Sequence, residues 1–285
     1  MIHLNHHRPR TSVTRPQLPL TWLNDARQPL PDTSFALPED SDAPGLLAAG
    51  GEVEPVRLRE AYSKGVFPWY SEGQPVLWWS PDPRMVLPVA EFKVSRSLRK
   101  TLSRFRLDAR CEIRIDHDFR TVMSHCAAAS RRGQSGTWIV PEMVDAYSRW
   151  HDRERAVHSI ETWIDGELTG GLYAVNIGQM LYGESMFSLR TDSSKIALAA
   201  LVCFCRANAI TLVDCQQRTT HLASLGAREW PRAAFERHLA NTVWRRPPGD
   251  WTYHPAMWAQ LRELGDESAV ASRPSVQNAP PEIGS

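Results

Sequence analysis

The chain has 285 residues, of which 42% are hydrophobic and 23% charged, a composition typical of a folded protein with one or two domains. Its formal net charge of +1 excludes a protein that is basic throughout, and no apolar run reaches the ~20 residues that span a bilayer. The first 20 residues contain no apolar core of signal-peptide length, and the five cysteines lack zinc-site spacing. We therefore expect a cytoplasmic protein with free thiols, no bound metal and no membrane association.

The N-terminal part of the chain is rich in proline and polar residues. We expect residues 1–20 to be a disordered extension and residues 21–88 to form a small irregular domain, because prolines interrupt its aromatic segments. Within that domain, PVRLREAYS predicts a short helix from Pro55 to Ser63 with proline at its first position.

A basic segment follows this domain. Between Arg84 and Arg132 there are twelve basic and five acidic residues, a local excess of seven positive charges. Apolar residues from Val94 to Phe105 recur at helical spacing, and the other side of this predicted helix carries a cationic stripe, defined as Arg96, Lys100 and Arg104. Such an excess in a nearly neutral protein indicates a polyanionic partner, with an ordinary solvated surface as the alternative.

Residues 89–246 are predicted to form a second domain of class α+β, in which helices cover a mixed sheet. Periodicity and turn signals predict strand 111–116, helices 117–128 and 141–153, strands 158–164, 169–177 and 179–188, helix 193–209, strand 210–216 and helix 232–239. An Asp165-Gly166 pair between two of these strands is a strong hairpin signal. No core pattern follows Pro247, so residues 247–285 are expected to be a disordered tail.

A single carboxylate, Glu184, interrupts the apolar strand MLYGESMFS. Alternation predicts that one face of this strand carries Tyr182, Glu184, Met186 and Ser188. Asp214 and Gln216, at the end of the next buried strand, are two residues apart and are expected to project to one side. A carboxylate beside an amide suits orienting and deprotonating an amine, whereas a structural ion pair is the alternative for Glu184. No GxSxG or Cys–His nucleophile motif is visible.

Ten short motifs identify a resemblance to a known family. In chain order they are GLLAAGG, GVFPWY, WWSPDPR, GTWI, HSIE, GGLYAV, GESMFS, SSK, DCQ and HLASLGA. Together they resemble the leucyl/phenylalanyl-tRNA–protein transferases, from about Leu23 to Leu239. The resemblance implies transfer of leucine or phenylalanine, in some members methionine, from charged tRNA to the N-terminal Arg or Lys of a protein, which marks that protein for degradation. It also implies a catalytic domain similar to the GCN5-related N-acetyltransferase fold. No cofactor is expected, and a monomer is the default where the sequence leaves the oligomeric state open.

The resemblance also implies roles for individual residues. Asp214 and Gln216 would form a relay that takes a proton from the acceptor α-amine, and Glu184 would hold the cationic end of the acceptor. An apolar cup for the transferred side chain would be lined by Leu172, Leu181, Met186, Leu201 and Val213. Residues matching those near the aminoacyl-adenosine end of the tRNA are Tyr62, Trp69, Trp138 and Tyr147. The cationic stripe would contact the tRNA backbone, and its binding would weaken with salt.

Some members of the family carry Met and Phe where Leu172, Leu181 and Leu201 stand, which leaves the cup apolar and the order of donor preference open.

Two alternatives belong to other functional classes. A coenzyme A-dependent N-acetyltransferase would need a glycine-rich turn for pyrophosphate at the start of the main helix, and SLRTDSSK has no glycine. A non-catalytic tRNA-binding adaptor could use the cationic stripe but would not need Glu184, Asp214 and Gln216 together.

Overall fold

The computed structural model describes residues 20–129 and 139–261, which form two β-sheets with helices packed around them. The strands are β1 (Thr21–Leu23), β2 (Leu46–Gly50), β3 (Phe67–Pro68), β4 (Leu77–Trp79), β5 (Arg84–Pro88), β6 (Cys111–Ile115), β7 (Val157–Ile164), β8 (Glu167–Ile177), β9 (Met180–Ser188), β10 (Leu212–Asp214) and β11 (Arg228–Trp230). The α-helices are α1 (Pro55–Ser63), α2 (Arg96–Leu107), α3 (Phe119–Ala128), α4 (Pro141–Glu154), α5 (Ser193–Ala207), α6 (Thr220–Ser224) and α7 (Arg232–Thr242). The predicted α+β class with a mixed sheet is confirmed.

The smaller sheet belongs to the N-terminal part of the chain and has the strand order β1-β2-β4-β3. Helix α1 has the predicted bounds, and Pro55 occupies its first turn. β5 was predicted to belong to the N-terminal domain, with residues 21–88. In the structure it pairs with β10 and β11 of the larger sheet. The chain therefore passes from one sheet to the other in the proline-containing segment between β4 and β5.

The larger sheet has seven strands in the order β11-β5-β10-β9-β8-β7-β6. β7 and β8 form the predicted hairpin, and its turn residues Asp165 and Gly166 have φ values of 57° and 75°. β9 and β10 run parallel and pair through Leu181 with Val213 and through Tyr182 with Asp214. β9 then continues to Ser188 without β10, which leaves an opening beside its second half.

Both faces of the larger sheet are covered by apolar side chains. On one face α2 and α5 pack against residues such as Leu172 and Leu181, and on the other α1, α3, α4 and α7 pack around residues such as Tyr173 and Tyr182. The start of α5 approaches β8 so closely that a Cβ at Gly170 would lie 2.2 Å from Ser193 Oγ. Glycine at this position therefore allows α5 to seat on the sheet.

The C-terminal segment is ordered further than the sequence indicated. Trp251 stacks on His158 and on Phe204, with ring centroids 3.5 and 4.5 Å apart, and Trp258 is buried beside Phe105. A short 3-10 helix, Pro255–Gln260, contacts α5. Residues 247–261 thus differ from the expected disordered tail, because isolated tryptophans bury large surfaces without any periodic pattern. The remaining predictions of disorder, for residues 1–19 and 262–285, lie outside the described residues.

No helix in the described part of the chain has the length and apolar character needed to cross a membrane.

Candidate active site

A cavity of about 1000 Å³ occupies the opening where β9 continues without β10. Its wall is built from β8, β9, α5, the turn after β10 and the N-terminal strand β3. Most of the lining is apolar, and the polar exceptions include Glu184, Gln216 and His221. A large, mainly apolar cavity with a few convergent polar groups is the usual form of a small-molecule site.

Glu184 occupies a β-bulge rather than a regular strand position. Ala174 of β8 faces Gly183 and the preceding residue, Tyr173, faces Ser185, so Glu184 has no partner in the ladder. The extra residue reverses the alternation of side chains beyond it. Tyr182 therefore packs in the core with α1 and α4, whereas Met186 packs with Leu181 on the face covered by α5.

The prediction that Tyr182, Glu184 and Met186 share one face is therefore wrong. The predicted pattern assumed unbroken alternation, and one inserted residue shifts every later side chain to the other face. The glycine before Glu184 is the sequence signal for the irregularity, because glycine inside a strand often marks a bulge.

The Glu184 carboxylate accepts hydrogen bonds from two side chains, one in the turn after β10 and one in α1. Gln216 Nε2 donates to Glu184 Oε1 at 2.9 Å, and the Tyr62 hydroxyl donates to the same carboxylate. Tyr62 is in turn hydrogen-bonded to Tyr147, with 2.6 Å between the two hydroxyl oxygens. Burial raises the pKa of Glu184 to about 8, assisted by the charge of Asp214 and opposed by the Tyr62 hydrogen bond. Glu184 is thus a carboxyl group that changes charge near neutral pH.

Asp214 and Gln216 do not both face the cavity as predicted. Gln216 contributes to the cavity wall, whereas Asp214 is fully buried behind it. Arg84 Nε donates to Asp214 Oδ1 at 2.8 Å and Arg84 Nη2 donates to Oδ2 at 2.6 Å. The backbone N–H of Gln216 also donates to Oδ1, at 2.9 Å. The Asp214 carboxylate is therefore held by protein donors on both oxygens.

Arg84 was not predicted as a site residue, because it was counted among the basic residues of the segment from Arg84 to Arg132. Its side chain is 1% exposed and packs against the rings of Phe67 and Phe235, whose centroids are each 4.8 Å from the guanidinium carbon. The available signal was its place at the start of RMVLP, a strand buried along its whole length. A charged residue within such a strand needs a buried partner, here Asp214.

Four of the five predicted cup residues line the cavity: Leu172, Met186, Leu201 and Val213. Leu181 is fully buried in the core with them but does not reach the cavity. Leu198 of α5, which the sequence did not single out, completes the apolar wall beside Leu201.

The predicted nucleoside-binding aromatics do not form one surface. Trp69 lines the cavity, with its ring edge-to-face against Trp79 at 5.5 Å. Tyr62 and Tyr147 are fully buried, so they support Glu184 from behind and have no free ring face for a base. Trp138 lies outside the described residues.

The cationic stripe lies on the solvent side of α2, where Arg96, Lys100 and Arg104 are all exposed. Within residues 20–129 and 139–261, none of the three forms an ion pair with a carboxylate. Thr101, on the next face of α2, contacts Asp192 at the start of α5 at 3.4 Å. The helix that carries the stripe thus contacts α5, and Leu198 and Leu201 of α5 line the cavity.

Metal chemistry has no evident site in the part of the chain that the structure describes. No group of three or more His, Cys, Asp or Glu side chains there is arranged to hold a metal ion.

Comparison with known proteins gives consistent similarities over most of the chain. A family model described as leucyl/phenylalanyl-tRNA protein transferase matches residues 86–240, and a model of the N-terminal domain of that transferase matches residues 51–82. A leucyl/phenylalanyl-tRNA–protein transferase of Methylibium petroleiphilum is 65% identical over 253 residues, which are 88% of this chain and 95% of that protein. The protein of the same name in Leptothrix cholodnii is 58% identical over 248 residues, 86% of this chain and 96% of that protein.

Similarity to solved structures is much weaker. A GCN5-related N-acetyltransferase from Kribbella flavida is 11% identical, with a TM-score of 0.29 over 60% of this chain and 58% of that chain. L-PGS from Bacillus licheniformis is 12% identical, with a TM-score of 0.32 over 64% of this chain and 60% of that chain. Scores this low carry no conclusion about the present chain.

Proposed function

The chain belongs to the leucyl/phenylalanyl-tRNA–protein transferase family, and on that basis we propose that it transfers leucine or phenylalanine from charged tRNA to proteins with N-terminal Arg or Lys. Methionine is a further donor residue in this proposal, and the product is a degradation signal. As a member of this family the chain is an aminoacyltransferase, which decides against the acetyltransferase and the adaptor considered from the sequence. We place the activity in the cytoplasm, where charged tRNA occurs, and take a monomer as the default state.

The observation that supports this function best is an apolar cavity with a carboxylate–amide pair in its wall. The apolar part, formed by residues such as Leu172, Leu201 and Val213, suits an uncharged side chain of the size of leucine or phenylalanine. Burial of such a side chain contributes about 1.5–3 kcal/mol. Because the aminoacyl ester is already activated, the protein needs mainly to hold the donor ester and the acceptor amine in contact.

The polar part of the cavity suits the acceptor. The Glu184 carboxylate attracts a cationic N-terminus, and the Gln216 carboxamide oxygen can accept a hydrogen bond from the amine. An α-amine has an ordinary pKa of roughly 7.7–8.0. Since the pKa of Glu184 is raised to about 8, the proton passes between two groups of similar basicity.

The relay expected from the sequence is modified in this proposal. Asp214 has both oxygens occupied by Arg84 and by the Gln216 backbone, and it does not reach the cavity. Glu184 therefore receives the amine proton directly, while the amine nitrogen attacks the ester carbonyl carbon. The bond to the ribose oxygen then breaks, and that oxygen leaves with the proton that Glu184 had received, which restores the carboxylate.

The test uses tRNA charged with labelled leucine and two peptides that differ at the first residue, Arg or Ala. The expected result is label on the Arg peptide and none on the Ala peptide. Absence of label on both peptides would contradict the transfer reaction, and equal labelling of both would contradict the acceptor specificity. Repeating the assay with labelled phenylalanine and methionine ranks the donors.

A further inference from the structure

Arg84 donates three hydrogen bonds from a side chain that is buried from solvent. Its Nε and Nη2 donate to the two oxygens of Asp214, and its Nη1 donates to the carbonyl oxygen of Gly65 at 2.9 Å. The rings of Phe67 and Phe235 both pack against its guanidinium group. A planar fork held in this way fixes the orientation of the carboxylate it binds.

The same carboxylate controls the backbone of Gln216. Asp214 Oδ1 accepts the Gln216 N–H at 2.9 Å, and Gln216 has a φ of 53°, in the left-handed region. A non-glycine residue keeps this conformation where surrounding contacts enforce it. The result is that Gln216 Nε2 is directed at Glu184 Oε1, 2.9 Å away, in the cavity wall.

We propose that Arg84 is a positioning residue for the transfer reaction, because its fork orients Asp214, which holds Gln216 in the conformation that presents its carboxamide to Glu184. The inference rests on the proposed function, since it assigns Glu184 and Gln216 to the acceptor amine. In this proposal Asp214 acts on the reaction only through Gln216. Arg84, which is 130 residues from Asp214 in the sequence, is essential for the geometry of the site.

Stability alone does not account for this ion pair. A buried ion pair replaced by apolar side chains of similar size usually leaves a protein as stable or more stable, whereas removal of one partner destabilises it strongly. Arg84→Met with Asp214→Leu is therefore the informative variant, since it removes both charges. We expect this double variant to unfold near the wild-type Tm and to have kcat lowered about 100-fold, as a misplaced reacting group does.

The KM for aminoacyl-tRNA should change less than about twofold in this double variant, since its cup residues and cationic stripe are intact. Wild-type kcat in the stable double variant would overturn the proposal and leave Arg84 a purely structural role. Arg84→Lys keeps the charge without the fork, and recovery of wild-type kcat in that variant would also overturn it.

A double-mutant cycle asks whether Arg84 acts through Gln216. Gln216→Ala alone should lower kcat, and adding Arg84→Met with Asp214→Leu should lower it by less than about threefold more, because the effect is already lost. Independent, multiplicative losses would contradict the proposal. If the wild-type chain itself transferred no amino acid, the proposed function would fail, whereas an active wild type with multiplicative losses refutes the role of Arg84 alone.

Arg57 provides a matched control. It is also a buried arginine, 6% exposed, that donates to the carbonyl oxygens of Ala26 and Gln28 and pairs with Glu60 away from the cavity. Arg57→Met should lower the Tm and leave kcat of the folded fraction unchanged. An equal loss of kcat in this variant would show that loss of any buried arginine reduces activity, which contradicts a specific role for Arg84.

Discussion

At the residue scale, the surroundings of Glu184 favour its neutral carboxyl group, whereas its proposed task needs the carboxylate. Burial is the largest cause of its raised pKa, and the hydrogen bond donated by Tyr62 partly offsets it. Tyr62 and Tyr147 remain protonated beside it, since burial raises the pKa of both well above the ordinary value. An acid that exchanges its proton near pH 8 is suited to accept one from an α-amine.

The raised pKa of Glu184 also predicts a dependence of stability on pH. In the unfolded chain the carboxyl group ionises near its ordinary value of 4.5, and in the folded protein near 8. Between these pH values the folded state holds the extra proton, so stability falls as pH rises, by at most ~1.4 kcal/mol per pH unit. Glu184→Gln cannot titrate, so its Tm should rise relative to wild type from pH 5 to pH 8.

Thermal unfolding of both proteins across this pH range measures the effect. Glu39→Gln, at an exposed position, is the control and should leave the difference from wild type constant with pH. A constant difference for Glu184→Gln as well would mean that Glu184 is ionised in the folded protein at neutral pH.

At the scale of elements, the bulge in β9 decides which side chains reach the cavity. Leu181 and Met186 differ by five positions in one strand, yet both lie on the α5 side because the bulge at Glu184 changes the alternation. Only Met186 of this pair lines the cavity proposed to hold the donor side chain, whereas Leu181 is packed in the core behind it.

Met186→Ala should therefore change donor preference, and Leu181→Ala should not. Truncation of Met186 enlarges the cavity and should raise the ratio of phenylalanine to leucine transfer about tenfold, the scale of discrimination by small volume changes in an apolar site. Leu181→Ala should keep the wild-type ratio and lose about 2–5 kcal/mol of stability as a buried cavity forms. Competition assays with both charged tRNAs measure the ratio, and an unchanged ratio in Met186→Ala would place Met186 outside the cup.

Elements that depend on local sequence were predicted well. The Asp165-Gly166 hairpin, the proline-initiated α1 and the apolar α5 each follow from signals within a few residues. Glu184 was found because a carboxylate in an apolar strand is costly without a function or a partner. The DCQ motif likewise led to Gln216, which does line the cavity.

Features that depend on distant residues were not predictable in this way. No local pattern pairs Arg84 with Asp214 or buries Tyr62 against Tyr147, because strand order and packing bring these residues together. The stacking of Trp251 on His158 is similar, since it joins a segment without periodicity to β7. Sequence periodicity describes which face is apolar and leaves open what covers that face.

At the scale of the whole molecule, α5 contacts both regions proposed to bind aminoacyl-tRNA, the helix with the cationic stripe and the apolar cavity. One end of α5 meets α2 through the contact of Thr101 with Asp192, and its middle lines the cavity with Leu198 and Leu201. The proposed tRNA-backbone contact on α2 and the proposed aminoacyl cup are thus joined by one helix. Since the net charge of the chain is only +1, the local excess of positive charge that includes α2 is the feature expected to attract a polyanion.

Removal of charge from the stripe should therefore weaken donor binding without affecting the chemistry of bound donor. Arg96→Ala with Lys100→Ala should raise KM for aminoacyl-tRNA and leave kcat unchanged. The slope of log affinity against log salt should become less steep by ~1–2, because each lost phosphate contact removes about 0.7–0.9 from it. Arg237→Ala with Arg245→Ala removes two exposed charges from the opposite side of the sheet and should leave both KM and the slope unchanged. Equal effects of the two pairs would mean that tRNA responds to overall charge and that α2 has no specific part in binding.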